Sequence, residues 1–268
     1  MEPFRIVIFT AVPPSRLRHF LWRLRLDAPE VVVAGVLCET ERPPLPRKKR
    51  VERTRKYLRD RDFRRYAVAK AAGSVTARRE RLLHKTLRAF HAAPENPNGP
   101  ALSLDELVRD SAAHGTAFHV TADFHNKASL DFVRGLNADL GVIYGTRILK
   151  PKLFEIPARG SINIHKHQVP EYRGAGAPGL WEMRDGKTEQ GITVHRVLKA
   201  VDAGAVLGTR TFPIDPYDTL TSVGLKADVL SIDCLVDVIR AEANGTTVGC
   251  ATSPLSSISI ASGSDAIL

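Results

Sequence analysis

The sequence has few cysteines and no long apolar run. Its 268 residues include only 3 Cys, which lie far apart and form no Cys-x-x-Cys motif. This pattern is typical of a reducing compartment and argues against a disulfide framework or a zinc site. No apolar stretch approaches the roughly 18 residues that a membrane-spanning helix needs; the longest runs from Val31 to Cys38. Because Pro13 and Pro14 interrupt the first apolar run, we expect no signal peptide and predict a cytoplasmic location.

The overall composition is that of a globular protein. Hydrophobic residues make up 43% of the chain and charged residues 25%, which excludes a collagen-like or low-complexity chain. The sequence is Ser-rich and lacks periodicity from Ser253 onwards. We therefore predict one folded domain over residues 1–250 and a flexible tail over 251–268.

Positive charge is concentrated in one segment. Residues 42–88 contain 18 Lys/Arg and 4 Asp/Glu, a balance of +14, so the rest of the chain carries −4 against the total of +10. We predict two basic amphipathic helices, Val51–Ala72 and Thr76–Ala92, in a helical insertion at about 42–93. Such a segment either attracts an anionic partner or simply faces solvent.

Outside this insertion, strands and helices alternate. This order favours an α/β fold with a mostly parallel central sheet. The predicted strands are Phe4–Thr10, Val31–Cys38, Ala117–Thr121, Leu140–Tyr144, Ser161–His165, Gly191–Val197 and Val206–Phe212. The predicted helices are Ser15–Leu26, one that begins at Ser103 with a capping box to Glu106, Ala128–Leu136 and Asp218–Ala243.

Two polar side chains end one predicted strand. Asn163 and His165 stand at i and i+2, on one face of the strand, and Asp202 follows in a turn between two later strands. A carboxylate can stabilise an imidazolium, and an amide can donate to a developing oxyanion. The trio suits acyl transfer without a covalent intermediate. Read from the residues alone, ordinary hydrogen-bonded polar groups remain the alternative.

The segment from Gly160 to Gly208 resembles the catalytic core of the folate-dependent formyltransferases. The resemblance rests on several motifs in order: Asn163-x-His165, Pro170, Gly174, Gly191-Ile192-Thr193-Val194-His195 and Asp202-Ala203-Gly204. It implies a Rossmann-like formyltransferase fold, and Asp139–Leu149 is similar to the strand and loop of the family's folate pocket. Where the family usually has Ser-Leu-Leu-Pro, this sequence has His167-Gln168-Val169-Pro170.

The resemblance implies roles for the three catalytic candidates. Asn163 would donate to the formyl oxygen, and His165 would stabilise the charge and help to move protons. Asp202 would hold His165 and a water molecule. The formyl donor would be the co-substrate 10-formyltetrahydrofolate, and the acceptor's own amine would be the nucleophile.

The resemblance also implies binding residues. The folate-pocket positions are Arg147, Ile148, Leu149, His167, Gln168, Val169, Pro170, Lys199, Ala200 and Val201. The acceptor-side positions are Thr10, Tyr172, Arg173 and Gly174. His165, His167 and His195 lack the further spaced ligand of a zinc site, so we predict no metal, and we expect His195 to be a packed or pocket-wall residue.

We therefore expect a folate-dependent N-formyltransferase acting on a small, anionic amine such as an amino sugar or a biosynthetic amino acid. The alternatives are methionyl-tRNA as acceptor, hydrolysis of 10-formyltetrahydrofolate, and a non-catalytic protein that binds nucleic acid or a membrane surface. The basic insertion favours tRNA, whereas the short sequence after the last helix leads us to expect no tRNA-binding C-terminal domain.

Overall fold

A single seven-stranded sheet organises the chain. The computed structural model describes residues 3–40, 103–174 and 176–246. Within these residues the strand order is β3-β2-β1-β4-β5-β6-β7. The strands are β1 (Phe4–Thr10), β2 (Val31–Glu39), β3 (Ala117–Thr121), β4 (Leu140–Tyr144), β5 (Ser161–His165), β6 (Glu189–Arg196) and β7 (Val206–Pro213). Four of the predicted strands are confirmed to the residue.

The sheet is parallel from β3 to β5, and β6 and β7 continue it antiparallel. This confirms the prediction of a mostly parallel α/β sheet. The chain proceeds outwards from β1 to β3 on one side, then returns to place β4 and β5 on the other. The strand order therefore reverses between β1 and β4, at the carboxyl edge where open α/β sheets bind ligands.

Six helices accompany the described strands; five connect successive strands, and the sixth follows β7. They are α1 (Pro14–Asp27), α2 (Leu104–Ala113), α3 (Lys127–Gly135), α4 (Pro151–Phe154), α5 (Leu180–Arg184) and α6 (Leu220–Ala243). The short helices α4 and α5 were not predicted, because neither is long enough to show a helical period. The predicted capping box is confirmed: the Ser103 hydroxyl accepts from the Glu106 amide, and the Glu106 carboxylate accepts from Ser103 N at 2.8 Å.

Helices cover both faces of the sheet. Ile6 and Ile8 of β1 pack into the core formed with α1, α2 and α6, whereas Val7 and Phe9 pack into the core formed with α3 and α4. All four are completely buried. This arrangement explains why the central strands are continuously apolar rather than alternating.

Several sequence predictions fall on other parts of the chain. The basic insertion at about 42–93 and the tail at 251–268 lie outside the described residues. In the described part, no helix is both long and apolar enough to cross a membrane. Cys38 and Cys234 are buried free thiols, and burial raises their pKa values to about 11 and about 12.

A buried carboxylate ties α6 to the sheet. Glu242 is 0% exposed; one of its oxygens accepts from Arg196 Nη2 at 2.7 Å, and Arg159 lies 3.4 Å from the other. We expect Glu242→Gln to lower the free energy of unfolding by about 1.5–3 kcal/mol, the range for a hydrogen bond to a charged group. Urea denaturation measures the change.

The exposed Glu189→Gln is the control, and it should change the free energy of unfolding by no more than about 0.5 kcal/mol. Equal stabilities for the two variants would show that the Glu242 ion pairs add nothing to the fold.

Candidate active site

A cavity of about 300 Å³ opens at the carboxyl ends of β4 and β5. It is bounded by the loop after β4 and by the turn between β6 and β7, next to the reversal of strand order. The described residues that line it are Ile143, Gly145, Thr146, Arg147, Ile148, Leu149, Phe154, Asn163, Ile164, His165, Gly174, His195, Val197, Leu198, Lys199, Val201 and Asp202.

Asn163 and His195 face each other across β5 and β6. The two residues are register partners, and Asn163 Nδ2 lies 3.2 Å from His195 Nε2. The other ring nitrogen, Nδ1, lies 2.8 Å from the Arg196 carbonyl, which can only accept, so Nδ1 carries a hydrogen. In the neutral ring Nε2 therefore accepts from the Asn163 amide. The second N–H of that amide remains to serve the cavity.

His165 has one ring nitrogen committed and one facing Asp202. Its Nε2 donates to the Tyr172 carbonyl at 2.8 Å, and its Nδ1 lies 3.8 Å from Asp202 Oδ2. Burial lowers the pKa of His165 below its usual value, outweighing the opposing effects of the Tyr172 carbonyl and Asp202. The ring is thus neutral at neutral pH, with an unprotonated Nδ1 that can accept a proton beside a carboxylate.

Asp202 is where the polar groups converge. Its Oδ2 accepts from Gly174 N at 2.9 Å, and its Oδ1 lies 3.4 Å from His195 Nε2. Burial raises the pKa of Asp202, but a protonated His195 ring and the Gly174 N–H lower it more, so the net shift is downward. The carboxylate stays ionised at neutral pH.

The Asp-x-Gly turn fixes this carboxylate. Asp202 has φ of 49°, the left-handed region that Asp tolerates better than most residues. Gly204 lies against the Arg196 carbonyl, where any Cβ would clash. The spacing of the motif follows from these two backbone requirements.

The cavity mouth is unusually apolar for a protein surface. Ile148, Leu198 and Val201 all line it and are 74%, 55% and 48% exposed. Large exposed aliphatic side chains that cluster at one cavity mark a binding surface for an apolar part of a ligand.

The structure brings together nine of the predicted site residues. Those that line the cavity are Arg147, Ile148, Leu149, Asn163, His165, Gly174, Lys199, Val201 and Asp202. Eight others are not among the described lining residues: Thr10, His167, Gln168, Val169, Pro170, Tyr172, Arg173 and Ala200. Of these, Tyr172 contributes its carbonyl to His165, and the buried Thr10 donates to the Tyr144 carbonyl at 2.9 Å.

The segment after His165 forms hydrogen bonds with α5 and β6. His167 is 2% exposed, and its Nδ1 pairs with Glu182 at 2.8 Å on α5. Val169 donates its N–H to Thr193 Oγ1 and is joined to Pro170 by a cis peptide bond. The predicted folate contacts of this segment remain predictions.

His195 lines the cavity, as the sequence predicts for a pocket-wall residue, and it also contacts both Asn163 and Asp202. The antiparallel register of β5 and β6 creates this contact, and the sequence carries no signal for that register. Across residues 3–40, 103–174 and 176–246, no cluster of three or more His, Cys, Asp or Glu could hold a metal ion.

The electrostatics of the cavity can be tested by titration. Because Asp202 raises the pKa of His165, Asp202→Asn should lower that pKa further. NMR titration of the His165 ring below pH 6.5 measures the change.

Asp237→Asn, which alters an exposed carboxylate of α6 that is paired with Arg210 of β7, is the control. An unchanged His165 titration in Asp202→Asn, or the same shift in both variants, would contradict the proposed coupling between His165 and Asp202.

Curated relatives match about half of the chain. Methionyl-tRNA formyltransferase of Legionella pneumophila strain Paris is 30% identical over 163 residues, which are 60% of this chain and 52% of the relative. The enzyme of that name from Listeria monocytogenes is 38% identical over 114 residues, 42% of this chain and 36% of the relative. The chain thus spans about half or less of the length of these relatives.

Solved structures share the fold over most of the chain. A phosphoribosylglycinamide formyltransferase from Anaplasma phagocytophilum superposes with a TM-score of 0.57 at 15% identity, covering 91% of this chain and 89% of that one. A formyltetrahydrofolate deformylase from Pseudomonas syringae gives 0.55 at 18% identity, covering 91% and 62%.

The model of one protein family, formyl transferase, matches residues 4–239. That range contains every strand and nearly all of the helical residues described above, together with the whole cavity lining. The chain belongs to the formyl transferase family.

Proposed function

We propose that this protein transfers a formyl group from 10-formyltetrahydrofolate to an amine. The observation that carries the proposal is the convergence of Asn163, His165 and Asp202 on one cavity at the carboxyl edge of the sheet. Family membership supports the same chemistry. The apolar cavity mouth at Ile148, Leu198 and Val201 suits the flat ring system of a folate.

In the proposed reaction the acceptor amine attacks the formyl carbon. A new bond forms between that nitrogen and carbon, the bond from carbon to folate N10 breaks, and N10 gains a proton as the amine loses one. The products are a formamide and tetrahydrofolate. The free N–H of Asn163 donates to the formyl oxygen as it gains negative charge, and His195 holds the amide in the required orientation.

His165 and Asp202 manage the proton. The unprotonated Nδ1 of His165 accepts it from the attacking nitrogen, and the nearby carboxylate stabilises the imidazolium that forms. Low exposure of both side chains, 13% and 10%, strengthens this stabilisation because little solvent screens the charges. No serine or cysteine nucleophile is required.

We further propose a small acceptor with an anionic group. Two cations, Arg16 and Lys166, contact the single carboxylate of Asp228, and Lys166 directly follows His165. The cluster of Arg16, Lys166 and Asp228 therefore carries one excess positive charge, which favours an anion.

Methionyl-tRNA is the second candidate acceptor. Two observations favour it: the curated relatives carry that name, and residues 42–88 hold a charge of +14. The formyl chemistry in the cavity would be the same for both acceptors.

The deciding experiment offers 10-formyltetrahydrofolate with a panel of amines that includes amino sugar nucleotides, amino acids and charged methionyl-tRNA. Mass spectrometry of each acceptor should reveal the gain of one formyl group. Release of formate without any formylated acceptor would identify a hydrolase and overturn the transferase proposal. If only methionyl-tRNA is formylated, the small-acceptor proposal fails.

Asn163→Ala should reduce kcat by about 10²–10³, the usual cost of removing one oxyanion donor. Steady-state kinetics on the acceptor found above measures it. Asn244→Ala, beyond the end of α6, removes an amide that donates to the exposed Glu30 and serves as the control. Turnover of Asn163→Ala equal to that of the control would eliminate the role of the amide.

A further inference from the structure

The side chain of Arg147 is held by carboxylates from two neighbouring strands. Its Nε and Nη2 donate to the two oxygens of Glu39, at 3.0 and 2.8 Å, and Nη2 also donates to Asp123 Oδ1 at 2.6 Å. Glu39 ends β2 and Asp123 follows β3. The loop after β4 is thereby bound to the two strands beyond β1.

Glu39 is a fully enclosed anchor. Its side chain is 0% exposed, and Oε1 also accepts from Phe124 N at 3.2 Å. A two-pronged pair between guanidinium and carboxylate fixes both groups in one plane, and burial makes any other placement of the charges unfavourable. The position of Arg147 is consequently determined by β2.

A histidine fixes the same loop three residues later. His125 Nε2 accepts from Lys150 N at 2.9 Å, and the Lys152 ammonium donates to the His125 carbonyl at 2.9 Å. Burial and the Arg147 charge lower the pKa of His125, so its ring is neutral and Nε2 can accept. The stretch from 147 to 150 is therefore held at both ends.

Between these two fixed points lie the cavity residues Ile148 and Leu149. Ile148 is 74% exposed at the mouth, and Leu149 is buried in the core beneath it. The preceding Gly145 has φ of 69° and lies against Val12, which constrains the start of the loop. Glu39, Asp123 and His125 are not among the described residues that line the cavity.

We infer that the Glu39–Arg147 ion pair, extended by Asp123 and His125, positions residues 145–149 as a rigid wall of the folate pocket. Arg147 serves the pocket through its fixed main chain, while its guanidinium is occupied by the two carboxylates. Glu39, Asp123 and His125 are positioning residues that act through the loop. The inference rests on the proposed function and names residues that determine the affinity for folate.

The test compares two buried carboxylates with the same kind of partner. Glu39→Gln breaks the clamp, and Glu242→Gln breaks the equally buried pair with Arg196, which lies outside the cavity lining. Titration calorimetry of the full chain with 5-formyltetrahydrofolate, a stable folate probe, gives Kd for each variant and for Arg147→Met and the double variant Glu39→Gln/Arg147→Met.

Glu39→Gln and Arg147→Met should each raise Kd about tenfold or more, because a displaced wall no longer fits the ligand. The double variant should bind within about twofold of the weaker single variant, because each change breaks the same pair. Glu242→Gln should retain the wild-type Kd. At saturating folate, kcat of Glu39→Gln should stay within about threefold of wild type, since Glu39 is not among the described residues that line the cavity.

Wild-type Kd in Glu39→Gln, or equal weakening in Glu242→Gln, would overturn the positioning role. If Glu39→Gln does not fold, Asp123→Asn provides the same test, since that carboxylate is half exposed and its loss removes only the outer arm of the clamp. It should still raise Kd severalfold, and a wild-type Kd there would also overturn the role. Absence of folate binding by the wild-type chain would refute the proposed function itself.

Discussion

The site depends on one carboxylate that joins three segments of chain. Asp202 accepts from Gly174 N in the loop before α5, approaches His195 on β6 and faces His165 at the end of β5. It can do so only because its backbone is left-handed and Gly204 allows the turn to lie against Arg196. Without this charge, the rings of His165 and His195 and the Gly174 N–H would have no common partner.

The surroundings of His165 and Asp202 favour a neutral imidazole next to an ionised carboxylate. Burial keeps His165 neutral, while the hydrogen bond from the Gly174 amide favours the ionised form of Asp202. A neutral base next to a stable anion is ready to accept a proton without first losing one. The hydrogen bonds of Arg196 and Tyr172 to the two imidazoles set which ring nitrogen is available.

Much of this arrangement could be predicted because it depends on local pattern. Continuous apolar runs located β1 and β4, and the strand end at Asn163 and His165 marked the catalytic edge. The Asp-x-Gly turn was recognisable from its motif, because it encodes a backbone requirement.

The other contacts of the site depend on how distant segments pair, and the local sequence pattern does not predict that pairing. The contact of His195 with Asn163 follows from the pairing of β5 with β6. Glu39 and Arg147 are 108 residues apart, and neither position has a periodic or motif signal for the other. The short helix α5 and the buried His167–Glu182 pair likewise appear only once the chain has packed.

The most direct test of the central claim is NMR titration of the full chain with 5-formyltetrahydrofolate, following backbone amides and histidine rings. Binding at the proposed cavity predicts shifts concentrated at residues 145–149, at 198–202 and at the rings of His165 and His195. Chemical-shift changes confined to other residues, or no changes at millimolar folate, would contradict folate binding at this cavity.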